Sequence, residues 1–258
     1  MATFLFDQII FGPIQSRRLG TSLGINLLPT NRKLCSFNCV YCECGWNAKG
    51  GEKGTLPTRA EVKTRLEAQL QKMIAENHLP DVITFAGNGE PTLHPEFAGI
   101  IDDTIELRNA LVPTSKIAVL SNATRIHKPE VFQALLKIED NIQKLDSVEE
   151  RTLRIMDIPQ ANYSIEETIN SLAKFEGKVI VQTMLLKGEV DGEAFDNTTE
   201  EEMTALTEAM ARIKPSQVML YSISRDTPAE QLVKATREEL DELARRIEEL
   251  GIEVQVSY

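Results

Sequence analysis

Four cysteines, the only ones in the chain, lie within a window of ten residues, at positions 35, 39, 42 and 44. Thiols grouped in this way do not tie distant segments together as disulfides do, which favours a metal site. Cys35, Cys39 and Cys42 have the spacing C-x3-C-x2-C, and three thiolates on one loop can hold three irons of a cubane [4Fe-4S] cluster. The fourth iron would then be open to a chelating substrate.

Cys44 leaves two other interpretations open. Four thiolates could close a zinc or rubredoxin-like site, which would make the chain a non-enzymatic, metal-stabilised binding module. A simple electron-transfer cluster is the second alternative, and it also needs a fourth ligand. Structural zinc sites usually take paired ligands from separate segments, whereas these cysteines share one loop. We therefore interpret Cys44 as a bystander thiol or as a residue that influences the cluster.

The cysteine loop, with Tyr41 directly before the third cysteine, resembles that of radical S-adenosylmethionine (SAM) enzymes. The resemblance implies that Cys35, Cys39 and Cys42 bind one [4Fe-4S] cluster, and that the amino and carboxylate groups of SAM chelate the open iron. It further implies that the reduced cluster cleaves SAM to methionine and a 5′-deoxyadenosyl radical. Tyr41 would lie near the adenine, and a reduced flavodoxin- or ferredoxin-like donor would supply the electron.

A second motif, Gly87-Asn88-Gly89-Glu90-Pro91, follows the next predicted strand. Glycine lets the backbone approach a ligand closely, and a strand end offers carbonyl groups to an ammonium group. The motif resembles the Gly-Gly-Glu-Pro sequence of radical SAM proteins, which holds the amino group of SAM, although Asn88 replaces the middle glycine. The resemblance assigns Gly87, Gly89 and Glu90 to SAM binding.

Polar residues end the strands that follow. Ser121 and Asn122 could hydrogen-bond a ribose or a carboxylate, and Asp146 could accept from ribose hydroxyls, as acidic residues do in other nucleotide sites. The alternatives are a turn cap for Ser121 and a surface position for Asp146. Arg225 is the first candidate for a substrate anchor, because guanidinium groups bind carboxylate or phosphate in pairs of hydrogen bonds. A salt bridge to Asp226 or to another surface carboxylate is the competing interpretation.

The elements that must position these residues alternate between strand and amphipathic helix. Capping signals begin helices at Thr58, Ser164, Thr199 and Thr236, and further helices are predicted near 96–111 and 129–137. Strands are predicted at 22–28, 81–86, 116–120, 141–145, 179–186, 217–223 and 252–257. Repeated strand and helix predict parallel pairing, hence an α/β fold. We expect one radical SAM domain over residues 1–258, a partial (β/α)6 TIM-like barrel in which residues 1–33 form an amino-terminal extension and the first strand.

Residues 11–24 and 225–230 narrow the resemblance to the subgroup related to wyosine-tRNA (imidazoguanosine-forming) synthases. Those synthases bind a second cluster through further upstream cysteines, and none precedes Cys35 in this sequence. We favour a small-molecule substrate, with tRNA base modification and activation of a glycyl-radical enzyme as alternatives. Arg17 and Arg18 are candidates to hold an anionic substrate, or else form structural ion pairs.

Charge and hydropathy set the remaining expectations. The formal net charge is −11, whereas residues 1–65 alone carry +5, so an acidic electron donor or another anionic partner could bind there. No apolar run approaches the ~20 residues that span a bilayer, and no secretory signal is recognisable, so we expect a cytoplasmic protein without membrane contact.

Overall fold

The computed structural model describes residues 4–16, 18–48 and 54–258. Its strands are β1 (Ile10–Ser16), β2 (Gly20–Ile25), β3 (Val82–Phe85), β4 (Lys116–Ser121), β5 (Asp140–Lys144), β6 (Ile180–Met184), β7 (Leu186–Val190), β8 (Glu193–Asp196), β9 (Gln217–Tyr221), β10 (Leu232–Lys234) and β11 (Glu253–Ser257). Its helices are α1 (Arg59–Ala75), α2 (Phe97–Leu111), α3 (Pro129–Leu135), α4 (Glu150–Met156), α5 (Ile165–Ala173), α6 (Glu200–Ile213) and α7 (Arg237–Glu248).

The main sheet has the strand order β1-β2-β3-β4-β5-β6-β9-β11 and is curled into an open half barrel. All pairs from β2 to β11 are parallel, and β1 pairs antiparallel with β2 at the edge. The predicted α/β fold with a partial TIM-like barrel is therefore confirmed. All seven predicted strands are present in this sheet.

The predicted helix starts are also present. Thr58, Ser164, Thr199 and Thr236 each accept a hydrogen bond from the backbone N–H three residues later. Only at Thr236 does the glutamate three residues on reciprocate to complete a capping box. Within the described ranges, no helix combines the length and apolar character that crossing a bilayer requires.

The two faces of the curled sheet differ in chemistry. Strand residues that point outward join the large apolar core beneath the helices, including Ile83, Val119 and Val181. The inward residues form a smaller apolar layer of Val82, Ala118, Ile142, Ile180 and Met219. Because side chains alternate along a strand, the next inward positions toward the carboxyl ends are Thr84, Leu120, Lys144, Gln182 and Tyr221. The inner face thus becomes polar where the strands end.

Several short elements were not predicted. Strand β1, helix α4 and a second sheet of order β10-β7-β8 were missed. The predicted strand 179–186 is in fact divided, because β6 ends at Met184 and β7 begins at Leu186. Strands β7 and β8 are joined by Asp191 and Gly192, both with positive φ, as a tight hairpin turn requires. This small sheet packs beside the cysteine loop through Leu186, Phe195 and Leu232.

Candidate functional site

The cysteine loop between β2 and α1 is fastened by a single amide side chain. The Asn47 Oδ1 atom accepts from the Cys35 backbone N–H at 3.1 Å, and its Nδ2 atom donates to the carbonyls of Cys35 at 3.1 Å and Phe37 at 3.0 Å. The Asn47 backbone N–H donates to Asn38 Oδ1 at 2.7 Å. The sequence analysis did not identify Asn47, since nothing in the spacing marks it as a partner of a residue twelve positions earlier.

The sulfur atoms of this loop lie in a protein environment that favours thiolates at some positions and opposes them at others. The Cys35 Sγ atom accepts hydrogen bonds from the Phe37 backbone N–H at 3.4 Å and from Asn122 Nδ2 at 3.5 Å. Burial nevertheless raises the pKa of Cys35 to about 12 and the pKa of Cys39 well above its ordinary value. The neighbouring Cys44 and Lys33 lower the pKa of Cys42.

Lys33 is the cation beneath this loop, and it too was missed. Its side chain is buried and its Nζ atom donates to the Gly45 carbonyl at 2.7 Å. Burial by itself would lower the pKa of Lys33, but the neighbouring Cys42, Cys39 and Cys35 raise it. One ammonium group cannot balance three buried thiolates, so the loop fits a group that brings further positive charge, as iron does.

The described residues do not form a closed site for a single metal ion. Among them, which include all four cysteines, no three His, Cys, Asp or Glu side chains are grouped to hold one metal ion. In a cubane each thiolate binds a different iron, so its ligands do not need to converge on one point. The Cys44 Sγ atom instead donates to the Gly87 carbonyl at 3.3 Å. Cys44 thus contacts the backbone of the glycine-containing motif, which agrees with its interpretation as a bystander thiol.

The loop and the glycine-containing motif form one structural unit. Leu34, directly before the first cysteine, pairs with Gly89 in a parallel bridge, in which the Leu34 N–H donates to Asn88 O at 2.8 Å and the Glu90 N–H donates to Leu34 O at 3.2 Å. A Cβ atom on Gly89 would lie 1.8 Å from the Leu34 oxygen, and φ at Gly89 is +137°. Glycine is therefore required at this position by the approach of the cysteine loop.

Asn88, the departure from the family motif, has a structural role. Its buried side chain donates to the carbonyls of Phe6 and Pro29, each at 2.8 Å, and accepts from the Phe6 N–H at 2.9 Å. The amide thereby holds the segment before β1 against the loop after β2. A glycine at this position could form none of these three hydrogen bonds.

The Glu90 carboxylate is engaged within the protein. Its Oε1 atom accepts from the backbone N–H of Thr92 at 3.0 Å, and its Oε2 atom accepts from the Asn122 N–H at 2.6 Å. Ser121 caps its own turn, since its Oγ atom accepts from the Ala123 N–H at 3.1 Å. Asn122 and Thr124 both reach the cysteine loop from this strand end, and each hydrogen-bonds Ser36. Direct contact of Glu90, Ser121 or Asn122 with SAM stays a prediction.

Asp146 lies in a buried charged network. Its Oδ2 atom accepts from the Tyr41 hydroxyl and pairs with Lys144 Nζ at 2.6 Å, while its Oδ1 atom accepts from the Met184 N–H at 2.9 Å. Lys144 also pairs with Asp157, and burial raises the pKa of the Asp157 carboxyl, which Lys144 opposes. Asp146 is therefore not the surface residue of the alternative interpretation. Its role toward ribose and the position of Tyr41 at the adenine stay predictions.

A cavity of about 190 Å³ opens at the carboxyl ends of β6 and β9 beside Tyr41, and Arg18 and Arg225 both line it. Arg225 is largely exposed and pairs with Glu43 of the cysteine loop at 2.6 Å, so the predicted competing salt bridge exists but not with Asp226. Arg18 lies deeper, with its guanidinium carbon 4.5 Å from the centre of the Tyr221 ring. Arg17 lies outside the described residues.

The basic residues expected to attract an acidic partner are mostly engaged. Arg59 pairs with Asp103 at 2.7 Å, Lys63 pairs with Glu106 at 2.8 Å, and Arg65 pairs with Glu61 at 2.8 Å. Lys33 is buried beneath the cysteines. The positive charge of residues 1–65 thus does not form an open basic surface in the part that the structure describes, and the acidic donor that was expected to bind there gains no support from it.

Comparison with known proteins decides the family. Residues 33–200 match the radical SAM superfamily, which covers more than half of the chain. The chain belongs to the radical SAM superfamily. Radical SAM enzymes use a [4Fe-4S] cluster and SAM, so the resemblance and both predicted cofactors are confirmed at the level of the superfamily.

Curated relatives of this radical SAM chain extend over nearly its whole length. It is 29% identical over 253 residues to a Brachyspira hyodysenteriae protein named GTPase Obg, which covers 96% of this chain and 34% of that relative. It is 30% identical over 237 residues to a UPF0026 protein of Methanocaldococcus jannaschii, which covers 90% of this chain and 68% of that relative. The chain thus spans about a third of the first relative and about two thirds of the second.

Solved structures share the fold at low sequence identity. A radical SAM methyltransferase from Sphaerobacter thermophilus superposes with a TM-score of 0.66 and 15% identity over 92% of this chain and 66% of that one. The structure of TYW1 with a lysine-pyruvate adduct bound gives a TM-score of 0.61 and 16% identity over 90% of this chain and 75% of that one. TYW1 is therefore among the proteins that share this fold.

Proposed function

We propose that the chain holds one [4Fe-4S] cluster through Cys35, Cys39 and Cys42 and performs SAM-dependent radical chemistry on a small molecule. When bound, the cluster and SAM supply a one-electron reductive cleavage to methionine and a 5′-deoxyadenosyl radical, which takes a hydrogen atom from the substrate to give 5′-deoxyadenosine. The electron comes from a reduced flavodoxin- or ferredoxin-like donor.

One observation carries the proposal: the cysteine loop is joined directly to two successive strand ends. Leu34 pairs with Gly89 after β3, and Asn122 after β4 donates to Cys35 Sγ. The carboxyl ends of strands are where barrel enzymes bind their ligands. The chain thereby holds the predicted cluster ligands beside the backbone and amide groups that would orient SAM.

Contacts within the protein fix the residues around this point. Glu90 holds the backbone of Asn122, and Asp146 holds the Tyr41 hydroxyl. Preorganised contacts of this kind reduce the cost of binding and orientation. The small cavity at β6 and β9 suits a small-molecule substrate, and the pairing of Arg59, Lys63 and Arg65 with carboxylates leaves fewer free cations for tRNA phosphates among the described residues.

The test is anaerobic reconstitution of the full chain with iron and sulfide, reduction with dithionite, and chromatographic assay of 5′-deoxyadenosine formed from SAM. Cys42→Ala should abolish the product, because three thiolates are needed. Cys44→Ala is the matched control and should retain most of it, although the hydrogen bond from Cys44 to the Gly87 carbonyl is lost.

Equal loss in both variants would show that Cys44 is a fourth ligand and would end the proposal of an open iron. A full cluster whose spectrum SAM does not perturb would lead to the same conclusion, in favour of an electron-transfer module.

A further inference from the structure

Arg18 differs from most arginines of the chain in its electrostatic surroundings. Eight arginines have a carboxylate oxygen within ion-pair distance: Arg59, Arg65, Arg108, Arg154, Arg212, Arg225, Arg245 and Arg246. Across the described ranges, no carboxylate lies at that distance from Arg18, although its guanidinium is half-buried inside the barrel. A half-buried cation in such a position is further stabilised when a negative group is supplied from elsewhere.

The groups that do contact Arg18 are neutral. Its guanidinium lies over the Tyr221 ring, and the Gln182 amide, with its oxygen turned toward Arg18, accepts from Nη1 and from Nη2, the latter at 3.3 Å. A guanidinium has five N–H donors, so these contacts leave donors unused. Burial raises the pKa of Tyr221 above its ordinary value, so its hydroxyl stays neutral and offers no counter-charge.

The backbone fixes Arg18 at this place. It follows β1 in the turn to β2, where Ser16 Oγ accepts from the N–H groups of Arg18 at 3.3 Å and Leu19 at 3.1 Å. From this edge of the sheet the side chain reaches across the open barrel to β6 and β9. Arg18 thereby spans the open side of the barrel, from the β1–β2 turn to β6 and β9.

Arg18 also lies between two adjoining cavities. One, of about 190 Å³, contains Tyr41 of the cysteine loop and Tyr221, and the other, of about 120 Å³, lies on the inner face of the sheet against Leu120, Ile142 and Met219. Arg18 lines both, together with Ile14 and Ser16. A ligand held by Arg18 would therefore have an apolar surface on one side and the predicted cluster loop on the other.

We infer that Arg18 binds the anionic group of the substrate, which is a small organic molecule carrying a carboxylate or a phosphate. Guanidinium groups bind both anions through paired N–H donors, and Gln182 and Tyr221 leave such donors available. The neighbouring apolar surface of Leu120, Ile142 and Met219 suits the carbon skeleton of such a molecule. Arg225, the first candidate from the sequence, is already paired with Glu43 and lies at the rim.

The carboxylate of SAM is a second anion that Arg18 could bind, but the order of the strands in the sheet argues against it. Gln182 and Tyr221 lie on β6 and β9, whereas Gly89 and Asn122 follow β3 and β4, with β5 between the two pairs. The superfamily resemblance assigns the SAM carboxylate to the open iron beside the cysteine loop. Arg18 is thus left for a different anion.

The inference rests on the proposed function, because it assumes that the chain acts on a substrate. Its test does not require the cluster. Saturation-transfer NMR on the full chain detects the methyl protons of acetate, with neutral acetamide as the isosteric control. Acetate should give a signal and acetamide should not. Arg18→Gln should reduce the acetate signal roughly tenfold, whereas Arg18→Lys should retain part of it, because a charged hydrogen bond is lost in the first and replaced in the second.

Arg65→Gln, a surface arginine on α1, is the matched control and should leave the signal unchanged. Addition of SAM to the reconstituted protein should not displace acetate. Equal acetate signals in Arg18→Gln and the unchanged chain would overturn the inference. So would displacement of acetate by SAM, since Arg18 would then bind the SAM carboxylate. Loss of SAM cleavage with retained acetate binding would count against the proposed function alone.

Discussion

The two walls of the barrel opening differ in how completely their polar groups are used. On the wall formed by the cysteine loop and the ends of β3 to β5, Glu90 and Asp146 are buried and both oxygens of each accept hydrogen bonds within the protein. On the wall formed by the β1–β2 turn and β9, the partners of Arg18 among the described residues are all neutral, and Arg225 is largely exposed and pairs with Glu43. The first wall is complete in itself, whereas the second has donors left over.

This difference indicates a division of labour. A wall whose bonds are all internal is rigid and suits a ligand that is always the same, as SAM is throughout the superfamily. A wall with unused donors suits the molecule that distinguishes one enzyme from another. The motifs recognised in the sequence belong to the first wall, and the substrate inference belongs to the second.

The strongest test of the first wall is Lys144→Met. This substitution removes the ammonium group between Asp146 and Asp157 and leaves two carboxylates buried without a cation. Breaking a buried ion pair in this way costs about 3–5 kcal/mol of unfolding free energy. Urea denaturation followed by circular dichroism measures it, with Lys63→Met in an exposed pair as the control that should change little. An unchanged midpoint for Lys144→Met would show that the charged network does not stabilise this wall.

A second test separates the effect of a steric clash with the cysteine loop from the effect of a positive backbone φ. Gly89 and Gly192 both have positive φ, but an added Cβ would meet the Leu34 oxygen at 1.8 Å only at Gly89, and nothing within 4 Å at Gly192. Gly192→Ala should cost about 1 kcal/mol through backbone strain. Gly89→Ala should cost about 2–3 kcal/mol, because the cysteine loop must also move. Equal losses in urea denaturation would mean that the pairing of Leu34 with Gly89 is not tight.

The sequence allowed prediction of the parallel strands and the helix caps, because hydrophobic periodicity and capping residues act over a few neighbouring positions. It did not allow prediction of α4 and β10, which are too short to show a period. The turn at Asp191-Gly192 did carry a hairpin signal, since both residues tolerate positive φ. That signal was overlooked when residues 179–186 were interpreted as one strand.

Within the site, the residues that were missed act through distant partners. Lys144 gains its role from Asp157, thirteen positions later, and Lys33 gains its role only when the loop folds over it. The same limit applies to Glu90 and Ser121, which were correctly placed at strand ends. Whether a carboxylate faces a ligand or its own protein depends on tertiary contacts that spacing does not record.

Glu202 of α6, which contacts Ser147 after β5, differs from Glu90 and Asp146 and provides a pH test. Its Oε2 atom accepts from Ser147 Oγ at 2.8 Å, but its Oε1 atom has no hydrogen-bond partner among the described residues. Burial raises the pKa of this carboxyl above its ordinary value of 4.5. The folded state therefore keeps the proton to higher pH than the unfolded state, so stability is lost as pH rises above 4.5 toward the folded pKa.

Glu202→Gln stays neutral at every pH and should escape this loss. Its unfolding free energy relative to the unchanged chain should increase as pH rises above 4.5 in urea titrations. Glu200→Gln, two residues earlier on α6, is the control of opposite sign, because Arg246 lowers the pKa of Glu200 and the unchanged chain loses that stability as pH falls below 4.5. If the difference in unfolding free energy between Glu202→Gln and the unchanged chain did not vary with pH, both oxygens of this carboxylate would have hydrogen-bond partners, as those of Glu90 and Asp146 do.

The smallest expected effect concerns the stability of the second wall. Among the described residues, Arg18→Gln removes no ion pair but loses the cation–π contact with Tyr221 and the hydrogen bonds to Gln182, so the unfolding free energy should change by about 1 kcal/mol or less. Removing an uncompensated charge can even stabilise the fold. Urea denaturation of Arg18→Gln and Lys144→Met in parallel compares how much each wall contributes to the free energy of unfolding. A loss of several kcal/mol for Arg18→Gln would mean that the protein itself uses this guanidinium, because a group held for a ligand contributes to binding and not to folding.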